Sequence, residues 1–199
     1  DDNASGVAAI IELSRMFAEQ GGGKAPKCPV ELVAYANEEP PFFRTKSMGS
    51  YVHAENLSRS NIDIRMMISL EAIGYFSDES SSQQYPADEL EYIYSDVGDF
   101  ITIVGDFAQV GIVRDLKSGM QSFMTTEVYS INAPVKLAGI DFSDHRSYWK
   151  FGYPAVMVTD TAFNRNLNYH TREDTYEKLD YQRMADVVNG VFHAVMTLD

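Results

Sequence analysis

The sequence is poor in cysteine and has no long hydrophobic run. Cys28 is the one cysteine in 199 residues, so an intrachain disulfide is excluded and cysteine usage leaves the cellular compartment open. No stretch reaches the roughly 18 apolar residues of a membrane helix, and no signal-peptide pattern opens the chain. We therefore expect no association with a membrane.

Positive charge is scarce as well. Sixteen lysines and arginines stand against 29 acidic residues, which gives a formal net charge of −13 at pH 7. Such a chain repels phosphate backbones, so nucleic-acid binding is disfavoured, although acidity also serves solubility alone. The hydrophobic fraction of 45% is ordinary for a globular protein, and the length fits one folded domain spanning residues 1–199.

Helical and strand-like patterns alternate along the chain. Apolar spacing predicts helices over residues 3–20, 47–58, 107–119 and 181–198, the first of them ended by the glycines at 21–23. Apolar runs predict strands over residues 29–37, 64–75, 100–105, 128–131 and 154–159, with a polar loop at 77–88. This alternation predicts an α/β fold, a three-layer α/β/α sandwich around a mixed, largely parallel sheet.

Acidic residues and a histidine stand near the predicted strand ends. Asp2 precedes the first helix, Glu38 and Glu39 follow the strand at 29–37, Glu71 lies within an apolar run, and His170 follows a polar loop. Zinc accepts carboxylate oxygen and imidazole nitrogen and keeps a position open for water in catalytic sites. Neighbouring side chains alternate in direction, so one glutamate can bind metal while the other moves protons. The pattern indicates a metal-dependent hydrolase.

Each of these features also has an ordinary structural explanation. An acidic pair before a helix can be an N-cap, and two glutamates at a strand end can be a solvated pair. A buried glutamate can serve as a hydrogen-bond partner, and a single histidine is more often structural than a ligand. Their joint occurrence in one order favours the metal site.

Five segments in order resemble the co-catalytic zinc exopeptidases, the family of bacterial leucyl-type aminopeptidases that has glutamate carboxypeptidase and glutaminyl cyclase as relatives. The resemblance covers essentially the whole chain. The segments are DDNASG at 1–6, NEEPPFF at 37–43, ISLEAIGYF at 68–76, SDHRSYW at 143–149 and NYHTREDT at 168–175.

The resemblance implies two zinc ions and a role for each matching residue. Asp2 would bridge the ions, Glu39, Glu71 and His170 would be further ligands, and Glu38 would be the general base and acid. Many members have an aspartate where Glu71 stands, which leaves the geometry at this position open.

The resemblance also implies roles for residues beside the metal ligands. Tyr169 matches a tyrosine that stabilises the oxyanion in some members, with a packed aromatic as the alternative. Asp144 and Asp174 would orient ligands through hydrogen bonds, and the peptide bond after Asp2 would be cis. We interpret His145 as loop architecture.

Three further residues are interpreted without a catalytic role. Arg165 lies in a polar loop near the implied site and is interpreted as a solvent-facing arginine. His53 and His193 lie in predicted helices away from the strand ends, so neither is expected to replace a missing ligand.

The sequence departs from the family pattern at its beginning. Members carry another ligating histidine, in an H-x-D context on a strand before the DDNASG motif, and no residue precedes Asp1 in this sequence. We therefore expect the domain to lack its N-terminal strands and to bind one zinc weakly or none. We also expect an exposed sheet edge that pairs with another chain, including a second copy in a homo-oligomer.

The function that the resemblance implies is hydrolysis of the N-terminal peptide bond of a peptide substrate. One alternative is an inactive fragment or homologue that acts in binding or assembly. Another is an acyltransferase of the glutaminyl-cyclase type. The residue preference of the site stays open, and for localisation the resemblance gives only a weak lean towards export in a bacterium.

Overall fold

The computed structural model describes residues 1–20 and 26–198. Within these residues the sheet has four strands, β1 (Met67–Leu70), β2 (Phe100–Gly105), β3 (Glu127–Asn132) and β4 (Ala155–Thr159). Their order is β1-β4-β2-β3, with β1–β4 and β2–β3 parallel and β2–β4 antiparallel. The mixed, largely parallel sheet expected from the sequence is therefore confirmed.

Five α-helices among the described residues surround this sheet. They are α1 (Ala4–Gln20), α2 (Gly49–Arg59), α3 (Val110–Gln121), α4 (His145–Trp149) and α5 (Tyr181–Thr197). Four of them confirm the predicted helices, and α4 is a short helix that the sequence pattern did not predict. The glycines expected to end α1 lie outside the described residues. No helix among the described residues has the length and apolarity to cross a bilayer.

Alternating side chains of the strands build two packed faces. Ile101 and Ile103 of β2 lie in one cluster with Val156 and Val158 of β4, and α1, α3 and α5 pack there. Val104 and Met157 face the other side, where α4 packs on β1 and β4 and contacts α2. Because side chains in a strand alternate, one short apolar strand serves both faces. The result is the expected three-layer sandwich.

Two predicted strands differ from the structure. Residues 29–37 form no strand, and only Met67–Leu70 of the predicted strand at 64–75 pairs in the sheet. The apolar composition of residues 29–37 is typical of a strand. A strand, however, requires a neighbouring strand that completes its backbone hydrogen bonds. A groove of about 1110 Å³ lies between this segment and the free edge of β1.

Apolar side chains line this groove. They come from α1, from β1, from α5 and from the unpaired segment itself, and they include Ile10, Phe17, Leu32, Ile68 and Val191. Carboxylates stand at one end of the same groove, where Glu38, Glu39 and Glu71 lie. The groove therefore lies between two segments that lack a strand partner on this side, residues 29–37 and the edge of β1, and it has an acidic end.

Helices α3 and α5 approach closely at a glycine, which gives a test of the packing. A Cβ at Gly119 would lie 2.9 Å from the Cβ and 3.0 Å from the Cα of Ala194, so Gly119→Ala must push the helices apart. We expect a loss of about 1–3 kcal/mol in the free energy of unfolding, measured by denaturant titration.

Gly111→Ala on the same helix is the matched control. A Cβ at Gly111 meets nothing within 4 Å. The higher helix propensity of alanine then predicts an unchanged or slightly raised free energy of unfolding. Equal losses in the two variants would contradict the packing argument.

Candidate metal centre

The site begins where the start of α1 docks on the end of β1. The Asn3 side chain donates to the carbonyl of Leu70 at 2.9 Å and accepts from the amide of Ala72 at 3.0 Å. A Cβ at Gly6 would lie 2.5 Å from the same carbonyl oxygen, so only glycine permits the approach. The peptide bond between Asp2 and Asn3 is cis, as the sequence analysis expected. These contacts explain why the DDNASG motif needs its small and amide-bearing residues.

Three side chains from distant segments converge beside this junction. The ligand atoms of Asp2, Glu39 and His170 all lie within 4.8 Å of one another. The Nε2 atom of His170 is 2.9 Å from Asp2 Oδ2 and 3.1 Å from Glu39 Oε1. His170 has a positive φ of 58°, in the left-handed region that non-glycine residues rarely adopt. The structure thus brings together three of the four residues proposed as metal ligands.

Glu71 lies on the buried side of this cluster. It follows directly after β1, and its Oε2 atom accepts a hydrogen bond of 2.6 Å from the hydroxyl of Ser143. Burial raises the pKa of Glu71 well above its usual value, and a hydrogen bond joins its carboxyl group to Asp2. Burial also raises the pKa of Asp2. Two carboxyl groups that share a hydrogen bond need a proton between them, and a cation can replace that proton.

Glu38 occupies a half-buried position next to the cluster. Burial, followed by the charges of Asp144, Glu39 and Asp2, raises the pKa of Glu38 to about 8. Burial raises the pKa of Asp144 to about 6, and its Oδ1 atom is buried without a hydrogen-bond partner among the described residues. Like charges in a partly desolvated site shift each other in this direction. The two glutamates therefore differ, with Glu39 more exposed in the cluster and Glu38 less solvated beside it.

Asp174 holds the backbone of Asp2 in place. Its Oδ2 atom accepts from the Asp2 amide at 3.0 Å, and its Oδ1 atom accepts from the side chain of Asn166 at 2.8 Å. The carbonyl of Asn166 in turn accepts from the amide of Tyr169 at 3.0 Å, beside His170. One carboxylate thus connects the segment of Asp2 with the loop of His170.

Tyr169 lies between the cluster and a small pocket. Its ring stacks on the His170 ring with centroids 3.9 Å apart, and burial raises the pKa of its hydroxyl. The pocket has a volume of about 90 Å³ and extends along the sheet, with Glu71 and Tyr169 among its lining residues. Tyr169 thus packs on a neighbouring ring and also lies beside the cluster, so its position agrees both with a packed aromatic and with a hydroxyl that stabilises an oxyanion.

The remaining histidines and Arg165 lie away from the cluster. His145 is fully buried, and its Nε2 atom bonds the carbonyl oxygen of Ile140 at 2.8 Å, which is a structural role. His53 and His193 lie in α2 and α5, as expected. The interpretation of Arg165 as solvent-facing was wrong. Its side chain bonds Gln83 and the carbonyl of Phe100, where the loop closes over β2.

Ser143 and Asn166 are polar residues of the site that the sequence analysis did not single out. Ser143 lies within the SDHRSYW segment, so the motif itself was the signal for it. Asn166 precedes the NYH motif in a loop rich in asparagine, where local composition gives no reason to select it.

The donor set fits a divalent cation such as zinc. Asp2 Oδ2 is buried and makes no hydrogen bond among the described residues, although it lies 2.9 Å from His170 Nε2. Two carboxylates and one imidazole are three ligands of the types that zinc takes in catalytic sites, where water occupies the open position. A cation at the centre of the cluster would satisfy the orphaned oxygen and offset the adjacent negative charges.

Comparison with protein families and curated proteins gives extensive matches. The sequence model of peptidase family M28 matches residues 1–195. "Uncharacterized protein YfbL" of Escherichia coli is 50% identical over 191 residues, which is 96% of this chain and 57% of that protein. Leucine aminopeptidase 1 of Ajellomyces dermatitidis is 29% identical and is matched over 100% of this chain and 45% of its own length. The chain thus spans about half the length of these relatives.

Solved structures share the fold. The LapA aminopeptidase of Legionella pneumophila superposes with a TM-score of 0.71 at 19% identity, covering 100% of this chain and 48% of that one. The zinc aminopeptidase BSAP of Bacillus subtilis superposes with a TM-score of 0.66 at 16% identity, covering 98% of this chain and 40% of that one. At these identities the likeness shows a common fold.

Substitution of Asp174 tests whether its hydrogen bonds position the cluster. Both carboxylate oxygens of Asp174 accept a hydrogen bond. In Asp174→Asn the side-chain NH₂ replaces one of these acceptors and faces a donor, so one of the two hydrogen bonds is lost. We expect zinc affinity to fall by about 10–100-fold, measured by competition with a chelating dye.

Asp186→Asn is the control for this variant. Asp186 also accepts backbone amides, from Thr125 at 2.9 Å and Thr126 at 2.7 Å, but it does so with Oδ2 alone and at α5, outside the cluster. Zinc affinity should stay at the wild-type value in this control. An unchanged affinity in Asp174→Asn would refute the positioning role.

Proposed function

Because the chain belongs to peptidase family M28, we propose that it supplies most of the catalytic centre of a zinc-dependent aminopeptidase. The convergence of Asp2, Glu39 and His170, with Glu38 beside them, is the observation that supports this most directly. The names of the similar proteins are consistent with it, since they include leucine aminopeptidases and a zinc aminopeptidase. The substrate would be a peptide with a free amino terminus.

In this proposal Asp2, Glu39 and His170 hold zinc, and Glu71 is a further ligand. Asp2 has contacts on two sides, because its Oδ2 atom lies 2.9 Å from His170 Nε2 and its carboxyl group interacts with that of Glu71, whose pKa burial raises. A bridging role for Asp2 agrees with these two neighbours. Ser143 would hold Glu71 in one orientation through its hydroxyl.

Glu38 would be the general base and then the general acid. Bound zinc lowers the pKa of water towards about 7 and polarises a carbonyl group. The Glu38 carboxylate would accept the proton of the attacking water and deliver it to the leaving amine. A cation beside Glu38 would lower its pKa from about 8 and so favour the ionised form that accepts a proton. Tyr169, beside His170, would donate its hydroxyl to the developing oxyanion.

Two substitutions separate metal binding from proton transfer. Glu38→Gln should keep zinc but reduce kcat for hydrolysis of leucyl anilide by about 10²–10⁴-fold, since the amide cannot accept the proton. His170→Ala should lose zinc and activity together, because a ligand is removed. The measurements are steady-state kinetics and zinc content of the complete natural protein.

The same assays distinguish the alternative activities. Release of free amino acid supports the aminopeptidase, whereas pyroglutamate formation from a glutaminyl peptide would favour the acyltransferase. A protein that binds zinc and catalyses neither reaction would support the non-catalytic alternative. Full activity of Glu38→Gln would exclude the proposed base.

We also propose that the centre in this chain alone is incomplete. The described residues offer three converging ligands and Glu71, with a free strand edge and a groove of about 1110 Å³ directly beside them. A strand from another polypeptide segment, or from a second copy, would pair with β1 and with residues 29–37 there. Such a strand would also complete the ligand set at the acidic end.

Zinc content measures this incompleteness. We expect at most one zinc per molecule for the chain of residues 1–199, determined by elemental analysis after dialysis against a metal buffer. Two ions held by this chain, with a crystal structure that shows no additional protein ligand, would overturn the expectation. The complete natural protein, treated in the same way, is the reference.

A further inference from the structure

Aromatic side chains form a continuous rim beside the candidate metal centre. Ring centroids are 5.8 Å apart between Tyr169 and Phe163, 5.9 Å between Phe163 and Phe142, and 6.1 Å between Phe142 and Phe43. Phe142 is 38% exposed and Phe163 is 39% exposed. The rim begins at Tyr169, which stacks on His170, and its far end returns to the segment of Glu39. There the amide of Phe43 donates to the Glu39 carbonyl at 3.1 Å.

Arg44 stands at the far end of this rim. Its guanidinium carbon is 5.3 Å from the ring centroids of both Phe43 and Phe142, a cation–π geometry, and its side chain is 49% exposed. The residue has a φ of 64°, in the left-handed region that is costly for a residue with a Cβ. Its backbone and its ring contacts therefore fix where the charge lies.

The charge around Arg44 is positive in a strongly negative chain. Asp141 accepts from Arg44 at 2.7 Å and from Arg146 at 3.2 Å, so two arginines share one carboxylate. Arg146 is close enough to Glu38 to offset part of the rise in pKa that burial and the neighbouring acids cause. A surplus positive charge thus faces outward next to an acidic site, in a protein of net charge −13.

We propose that Arg44 binds a carboxylate of a short peptide substrate that lies along the aromatic rim. This inference rests on the proposed aminopeptidase function and adds a substrate class, peptides with a free carboxylate a few residues beyond the amino terminus. Planar guanidinium groups pair with carboxylates through two parallel hydrogen bonds, and the half-exposed side chain has donors left for this.

The length of the rim sets the length of the peptide. Three ring-to-ring steps of 3.9–5.9 Å separate His170 from Phe142, over which Arg44 stands. An extended peptide advances roughly 3.3–3.6 Å per residue. Because the path along the rings is the upper limit of this separation, a carboxylate no farther than about the fifth residue reaches Arg44, with the intervening residues against the aromatic rings.

The test compares three peptides, of which two carry a carboxylate in different positions and one carries none. They are Leu-Gly-Gly with a free terminus, Leu-Gly-Gly amide, and Leu-Gly-Glu amide, which carries the carboxylate on a side chain. In the wild-type complete protein we expect kcat/KM for the free acid to exceed that for the amide by about fivefold. This ratio lies between the effect of an exposed ion pair and that of a buried charge-assisted hydrogen bond. In Arg44→Ala this ratio should fall to about one.

The third peptide identifies the source of the carboxylate. A high kcat/KM for Leu-Gly-Glu amide, lost in Arg44→Ala, would extend the site to acidic side chains, and a low value would restrict it to the peptide terminus. Both results support recognition by Arg44. Arg44→Lys should restore part of the ratio, because the charge remains without the planar fork.

Arg114→Ala is the matched control. Arg114 is 78% exposed and paired with Asp115 on α3, which packs on the opposite face of the sheet. This variant should leave the ratio unchanged. If Arg44→Ala lowers kcat/KM equally for acid and amide, Arg44 only fixes its loop and the proposal is overturned.

Binding without hydrolysis separates this inference from the proposed function. If the wild-type protein cleaves none of the peptides, the aminopeptidase proposal fails, and Kd values for the same peptides on zinc-free protein still decide the role of Arg44. A preference for the free acid that depends on Arg44 supports it, and equal Kd values for acid and amide contradict it.

Discussion

The docking of the first helix on the end of β1 is the contact on which the rest of the site depends. Asn3 replaces a neighbouring strand for the last residues of β1, since it bonds both the Leu70 carbonyl and the Ala72 amide. Gly6 removes the side chain that would keep helix and strand apart. Asp2 and Glu71 then face each other because the backbones that carry them are fixed together. Asp174 extends this order to the loop of His170 through its second oxygen.

Placing several carboxylates together is unfavourable unless something compensates for their charge. Burial and like charges act in the same direction on Asp2, Glu38 and Glu71, and each pKa is raised. The hydrogen bond from Ser143 to Glu71 offsets only part of this cost. Positive charge is available at the edge, from Arg146 and Arg44. A bound cation would be the simplest compensation, so the same electrostatics that destabilise the cluster would favour cation binding.

Local patterns in the sequence predicted most of the fold, and they were wrong where partners decide the structure. The helices and the strands at 100–105, 128–131 and 154–159 follow from apolar spacing. Residues 29–37 have the composition of a strand, but strand pairing needs a second segment, which the composition of the first segment does not reveal. In the site, the motifs identified Asp2, Glu39 and His170 as candidates that the structure brings together. The burial of Arg165 depends on carbonyls of Tyr75 and Phe100, far away in sequence, and no local pattern reveals such partners.

The unpaired segment at 29–37 has a consequence for the dynamics of the site. Backbone amides without a strand partner open with little free energy, whereas those of buried strands such as β4 open only when the whole domain unfolds. Glu38 and Glu39 are attached to the end of this segment, which has no strand partner, while Asp2 and Glu71 are attached to a strand and helix that pack together. We therefore expect one side of the centre to fluctuate more than the other. If the cluster holds zinc as proposed, ligand exchange should begin at Glu39, and rigidity gained along residues 29–37 would slow metal release without any change in the coordinating atoms.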